Sequence, residues 1–169
     1  VIRPATEDEL PILRDIERAA GKPFAEIGMT SVAEDEPPPT EHLRAFARAD
    51  RAWVYADASD TPIAYLIAEP VDGCAHIEQI SVHPDHAGRG IGRQLIEHLA
   101  AWAVTRDLPA LTLTTFTEVP WNGPYYERLG FHYLEPSEET PGLRALRTAE
   151  AAHGLDQWPR ACMRRNLPG

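Results

Sequence analysis

The stretch Val82 to Gly92, VHPDHAGRGIG, constrains this chain more than any other. It sets Gly88, Gly90 and Gly92 two residues apart, directly after an apolar run and directly before a helical pattern. Glycine adopts positive φ without steric penalty and lets another group come close to the main chain. Successive free N–H groups ahead of a helix form a concave anion site, reinforced by the helix dipole. Arg89 and Arg93 add positive charge at the same place. The stretch therefore reads as a strand, a cradle and a helix. The cradle, Ala87, Gly88, Arg89, Gly90, Ile91, Gly92 and Arg93, is shaped for a pyrophosphate.

The rest of the chain arranges itself around that unit. Ile2 and Arg3 begin a short strand, and Thr6 with Glu9 forms a capping box ahead of Leu10, Leu13 and Ile16 on one helical face. Pro11 delays the first turn of that helix. Residues 22–39 lack a clean period and end in three prolines, so they form a loop or a broken helix. Their apolar members Phe24, Ile27 and Met29 line an acceptor pocket or cover the edge of the core. A helix over Thr40–Arg48 and strands over Trp53–Ala56 and Ile63–Glu69 follow, the strands joined as a hairpin. Cys74–Val82 is the central strand and residues 91–106 the main helix, with Ile91, Leu95, Leu99 and Trp102 on its spacing. Beyond it come a strand at Ala110–Phe116, a short helix at Tyr125–Leu129 closed by Gly130, and a strand at Phe131–Leu134. A helix over Leu143–His153 and a last strand at Arg160–Arg164 complete the chain. The βαβ unit at 74–116 behind a hairpin predicts a mixed α/β sheet in a single domain spanning 1–169.

Charge narrows the partners. Sixteen Lys and Arg against 26 Asp and Glu give a net charge of −10, and Arg164–Arg165 is the only basic doublet. Nucleic acid is therefore not the expected partner; an acidic surface favours amine ligands or simply solubility. Two cysteines, Cys74 and Cys162, make no crosslinked framework, and no Cys/His cluster has metal-binding spacing, so no metal is expected. No apolar run approaches 18 residues and VIRPATEDEL has no leader pattern, which predicts a cytoplasmic protein without a membrane role. A P-loop is excluded, because no Lys-Ser or Lys-Thr follows the glycines. A dinucleotide fold is disfavoured, because its fingerprint belongs in the first βα turn and here lies in mid-chain.

Val82-x-Pro84, then Gly88-x-Gly90-x-Gly92, then Tyr126-Glu-Arg-Leu-Gly130-Phe131 resembles the GCN5-related N-acetyltransferase (GNAT) superfamily. The specific motifs lie within residues 74–134. The family pattern Arg/Gln-x-x-Gly-x-Gly/Ala departs here in its first position, which is Ala87. The resemblance implies an acyl-CoA N-acyltransferase fold: a central, mostly antiparallel sheet with one parallel splayed pair, flanked by helices. It implies acetyl-CoA as co-substrate, its pyrophosphate on residues 87–92 and its pantetheine arm paired with the strand at Ile80, Ser81 and Val82. It gives Tyr126 the role of acid toward the departing thiolate and Asn122 a contact to the pantetheine or a helix cap. The family acts as monomers or homodimers on small-molecule or peptide amines.

Amine acetylation needs a base for the ammonium, donors for the oxyanion and a proton for the thiolate. Strand alternation puts His76, Glu78, Ile80 and Val82 on one face, so Glu78 and His76 are both candidate bases, and Val82 N–H a candidate oxyanion donor. His76-x-Glu78 is similar to the His-x-His of arylalkylamine acetyltransferases; an ion-paired strand face is the structural alternative. The function predicted is acetyl-CoA-dependent N-acetyl transfer by direct attack in a ternary complex. A non-catalytic acyl-CoA sensor of the same fold is the alternative, and nothing in the sequence sets the acyl group or names the acceptor.

Overall fold

The computed structural model describes residues 1–168. Seven strands form one sheet in the order β1-β2-β3-β4-β5-β7-β6. They are β1 Ile2–Pro4, β2 Ala52–Ala56, β3 Pro62–Val71, β4 Cys74–Val82, β5 Ala110–Phe116, β6 His132–Tyr133 and β7 Arg160–Asn166. The helices are α1 Leu10–Gly21, α2 Pro23–Glu26, α3 Thr30–Ala33, α4 Thr40–Arg48, α5 Ile91–Thr105, α6 Gly123–Arg128 and α7 Pro141–Ala152. The chain divides into two compact units: residues 1–69 with 78–99, and residues 70–77 with those from 100 on.

In the first unit the start of α1 is set by charge and by proline together. Glu9 accepts the Thr6 N–H at 3.0 Å and closes a short 3-10 turn over Glu7–Glu9 before the α-helix begins. Pro11 falls in the first turn of α1, where a helix requires no N–H donor. Arg3 on β1 grips both oxygens of Glu9, at 2.9 and 2.6 Å, and holds that carboxyl down at about 2. Leu10, Leu13 and Ile16 from α1 and Leu43 and Phe46 from α4 bury against Val54, Tyr65 and Ile67. Each such side chain contributes roughly 1.5–3 kcal/mol of transfer free energy. β1 and β2 pair antiparallel through Arg3↔Val54, and β2 and β3 through Val54↔Tyr65. The segment 22–39 is a broken helix: α2 and α3 are one turn each, and residues 35–39 are irregular.

In the second unit β4 and β5 run parallel, Ala75 opposite Leu111 and His76 opposite Thr112. β3 turns into β4 through Asp72 and Gly73, both at positive φ (50° and 80°), as a two-residue I′ hairpin turn requires. β7 returns antiparallel along the whole of β5, from Ala110↔Asn166 to Phe116↔Arg160, and lies between β5 and β6. The strand expected at Phe131–Leu134 is shorter, because the Phe131 N–H is spent closing α6 on Tyr126 O at 3.1 Å. Asp72 ties down the start of α7 by accepting the Gly142 N–H at 2.8 Å. Leu134, Leu143 and Cys162 form a small core there with Val71 and Leu146. Glu150 on α7 gathers Arg147 and Arg160, each at 3.3 Å, and accepts the Thr114 hydroxyl proton at 2.5 Å.

Candidate active site

The glycine loop is built as the sequence requires. His83 N–H donates to Ile63 O at 3.0 Å, and Asp85 N–H to His83 Nδ1 at 3.1 Å, which anchors the turn Pro84–His86 to β3. Ala87 N–H closes that turn on Pro84 O at 3.1 Å. Gly88 and Gly90 then take φ of +78° and +73°, and a Cβ on either would meet no atom within 4 Å. The space beside the main chain is thus open. The first helical donor of α5 is Gln94, to Gly90 O at 3.1 Å, so the helix offers no acceptor to the N–H groups of Ile91, Gly92 and Arg93. Arg89 and Arg93 are exposed, and Arg89 Nη1 lies 3.2 Å from His86 Nδ1. A cavity of about 340 Å³ beside the loop is lined by Val1, Tyr55, Ile63, His86, Arg89 and Ile91.

β4 leads into this loop. On one face Gln79 Nε2 donates to Ser81 Oγ at 2.9 Å, and Ser81 bonds in turn to the Tyr65 hydroxyl. That hydroxyl donates to Glu17 Oε1 on α1 at 2.5 Å. Burial pushes the Glu17 carboxyl up, against the opposing pull of the Tyr65 hydrogen bond, and raises Tyr65 as well. Glu78 is 30 % exposed, with Oε1 3.8 Å from Nε2 of His42 on α4, itself 43 % exposed. The sequence does not single out His42, Glu17 or Tyr65. They lie on three separate elements, and the one local sign is that His42 flanks Leu43 and Phe46, the buried positions of α4. Phe24, Ile27 and Met29 do not form a common surface: Met29 is 2 % exposed and Ile27 47 %.

In the second unit His76 is 3 % exposed, with Nδ1 2.8 Å from Thr112 Oγ1. Burial depresses its pKa to about 4, partly offset by Glu150. An imidazole so weakened and enclosed is a poor proton acceptor at neutral pH. It bears on stability instead. An unfolded chain protonates this side chain below about 6.5, whereas the folded one keeps it neutral down to about 4. Stability is therefore full above the upper value and falls as pH drops between the two, by about 3 kcal/mol at most. His76→Gln is expected to flatten the plot of urea midpoint against pH across that window.

Tyr126 stands on α6 with its ring 5.4 Å from that of Tyr125 and 6.0 Å from that of Phe131. Desolvation, with a smaller contribution from Tyr125, raises its hydroxyl above the usual tyrosine value, so it stays protonated at neutral pH and can donate. Asn122 occupies the N-cap of α6, but the expected side-chain cap is not made; its main-chain O accepts the Tyr126 N–H at 3.0 Å. Cys74 and Cys162 are free and buried, and burial pushes the Cys162 thiol up to about 12, which makes it inert as a nucleophile. Among the described residues no group of three or more His, Cys, Asp or Glu is placed to hold a metal ion, and no helix is long and apolar enough to cross a membrane.

Comparison with known proteins agrees with this architecture. The sequence profile of the acetyltransferase (GNAT) family matches residues 13–131. The chain is 26 % identical over 96 residues to the peptidyl-lysine N-acetyltransferase YjaB of Escherichia coli strain K12, a stretch covering 57 % of this chain and 59 % of that protein. The match thus spans little more than half of that relative. Among solved structures, the ribosomal-protein-S18-alanine N-acetyltransferase of Escherichia coli is similar with a TM-score of 0.69 at 20 % identity, over 100 % of this chain and 94 % of the other. The PaiA N-acetyltransferase of Thermoplasma acidophilum, solved in complex with coenzyme A, is similar with a TM-score of 0.73 at 16 % identity, over 99 % and 98 %. These two likenesses are of fold. With the family profile spanning the central strand, the glycine loop and the Tyr126 motif, the chain belongs to the acetyltransferase (GNAT) family.

Proposed function

We propose that this protein transfers the acetyl group of acetyl-CoA to a primary amine of a small molecule or peptide, working as one acetyltransferase domain in the cytoplasm. The observation that carries this reading is the loop at residues 87–93, where open main-chain amides, two positive-φ glycines and two exposed arginines converge. It suits a diphosphate, and the solved PaiA complex contains coenzyme A on the same fold. Main-chain contacts supply most of such a grip, so Ala87 weakens it without removing it. Ile80, Ser81 and Val82 offer the strand edge to the pantetheine arm.

Acetyl-CoA supplies an activated thioester. Glu78 takes the proton from the acceptor ammonium, directly or through one water, and the freed amine attacks the thioester carbonyl. Val82 N–H stabilises the charge that develops on the carbonyl oxygen. Tyr126 donates its hydroxyl proton to the sulfur as the carbon–sulfur bond breaks, and the second proton of the attacking nitrogen returns to the tyrosinate, directly or through water, which leaves a neutral amide, CoA thiol and restored Tyr126. Of the two candidate bases Glu78 is the better, because it is in contact with water whereas His76 is enclosed and weakly basic.

A thiol has a pKa near ~8.5, so thiolate is a tolerable leaving group, and an acid adds less than it would for an amine or alkoxide. Tyr126→Phe is therefore expected to lower kcat by about tenfold to a hundredfold with the affinity for CoA unchanged. Equal turnover in the two proteins would remove Tyr126 from the chemistry. The overall reading is tested by incubating the protein with acetyl-CoA and a panel of amines and peptides, then reading acetylated products by mass spectrometry and free CoA by thiol assay. Thermal stabilisation by CoA with no product would identify a binding protein instead.

A further inference from the structure

The proton that Glu78 removes has to leave before the next turnover. In the free protein Glu78 is three-tenths exposed, but two bound substrates reduce its contact with water. His42 is an ionisable neighbour within reach: Nε2 lies 3.8 Å from Glu78 Oε1, and the imidazole is the more open of the two at 43 %. That separation is longer than a hydrogen bond, and a rotation of the Glu78 side chain by about 1 Å closes it. The ring is not adrift. It meets the edge of Phe46, one turn further along α4, with centroids 5.2 Å apart and planes at 65°, and Phe46 is fixed in the core.

Glu17 on α1 interacts electrostatically with His42, and also with Arg14 and Asp35. Its Oε1 is already committed to the buried Tyr65 hydroxyl at 2.5 Å. Glu17 is therefore less free than Glu78 to exchange a proton with His42. Imidazole changes charge closer to neutrality than any other side chain, so it accepts from a carboxylic acid and releases to solvent with a small driving force either way.

We propose that His42 is the proton outlet of the reaction, receiving the proton from Glu78 and passing it to solvent. This rests on the assignment of Glu78 as the base. The balance is simple: the ammonium loses a proton to the Glu78 carboxylate, the carboxylic acid O–H transfers it to His42 Nε2, and the imidazolium gives it to water or buffer. His42 acts through Glu78, and it is a positioning and relay residue.

The test uses His42→Ala and Glu78→Gln in the full chain. The probe is acetyl-CoA with an equimolar mixture of a lysine peptide with a free N-terminus, spermidine and tryptamine, read as released CoA. His42→Ala is expected to lower kcat by about tenfold while KM changes less than about twofold. Added imidazole, in the tens of millimolar, restores most of the loss in this variant and does nothing for the unaltered protein. A merely structural role would not respond to buffer. Unchanged kcat in His42→Ala, or a loss that imidazole does not repair, overturns the relay. If Glu78→Gln is impaired in the same assay, the base assignment survives that result. Wild-type turnover by Glu78→Gln overturns both, and no CoA release by the unaltered protein overturns acetyl transfer itself. Should the alanine variant prove unstable, His42→Gln keeps a polar side chain against Phe46, and buffer dependence of its kcat decides in the same way.

Discussion

Glu78→Gln is expected to lower kcat at pH 7 by about two to three orders of magnitude, with a loss that shrinks as the pH is raised. The amide matches the carboxylate in shape but accepts no proton, so the variant depends on amine that is already neutral in solution. For an alkylamine with a pKa near ~10.4 that fraction is about one part in 2,500 at pH 7, and it rises tenfold per pH unit. A plot of log kcat/KM against pH should therefore climb with unit slope in the variant up to about pH 9, and climb less steeply in the unaltered enzyme. Affinity for CoA should remain within about twofold, because the removed charge lies on β4 ahead of the residues assigned to the pantetheine arm. Equal profiles for the two proteins would mean that solvent, and not Glu78, removes the proton.

Gly90→Val is expected to abolish useful CoA binding while leaving a folded protein. At φ +73° an L side chain pays about 1–2 kcal/mol, more when branched at Cβ. Because a Cβ there meets no atom within 4 Å, the strain is relieved by the loop turning, not by disruption of a core. The turn misaims the amides that follow, at Ile91, Gly92 and Arg93. A hydrogen bond to a charged group is worth about 1.5–3 kcal/mol, so losing two weakens binding by about a hundredfold or more. Calorimetry with CoA reads the affinity, and a thermal melt of the apo protein, lowered by only a few degrees, shows that the fold is kept. Tight binding by the valine variant would take the loop out of the account.

How much of this was legible in the sequence follows from what each feature depends on. α4 begins and ends where its pattern predicted, at Thr40 and Arg48, and β4 does so at Cys74 and Val82, because local periodicity and the adjoining turn residues decide those bounds. The first α-helical turn after the Thr6–Glu9 box was delayed as Pro11 implied. The place of β7 between β5 and β6 was not legible. Cys162 and Met163 mark it as a buried strand but do not say which neighbour it joins. Spacing alone made His76 and Glu78 equal candidates. What separates them is burial and the Thr112 hydroxyl, supplied by a strand 36 residues away. The His42–Glu78 contact likewise joins a helix to a strand beyond two others, a distance that periodicity does not bridge. Phe24, Ile27 and Met29 read as one apolar group, but the breaks between α2 and α3 send Met29 inward and Ile27 outward.

On the proposed reading, main-chain amides at the glycine loop hold the diphosphate of coenzyme A. Titrating CoA into the isotopically labelled protein and following the amide resonances tests it directly. The largest shifts are expected at Gly88, Arg89, Gly90, Ile91, Gly92 and Arg93, with smaller ones at Ile80–Val82, and adenosine, which lacks the diphosphate, should not reproduce them. An unperturbed spectrum at saturating CoA, or shifts confined to other residues, would contradict the account.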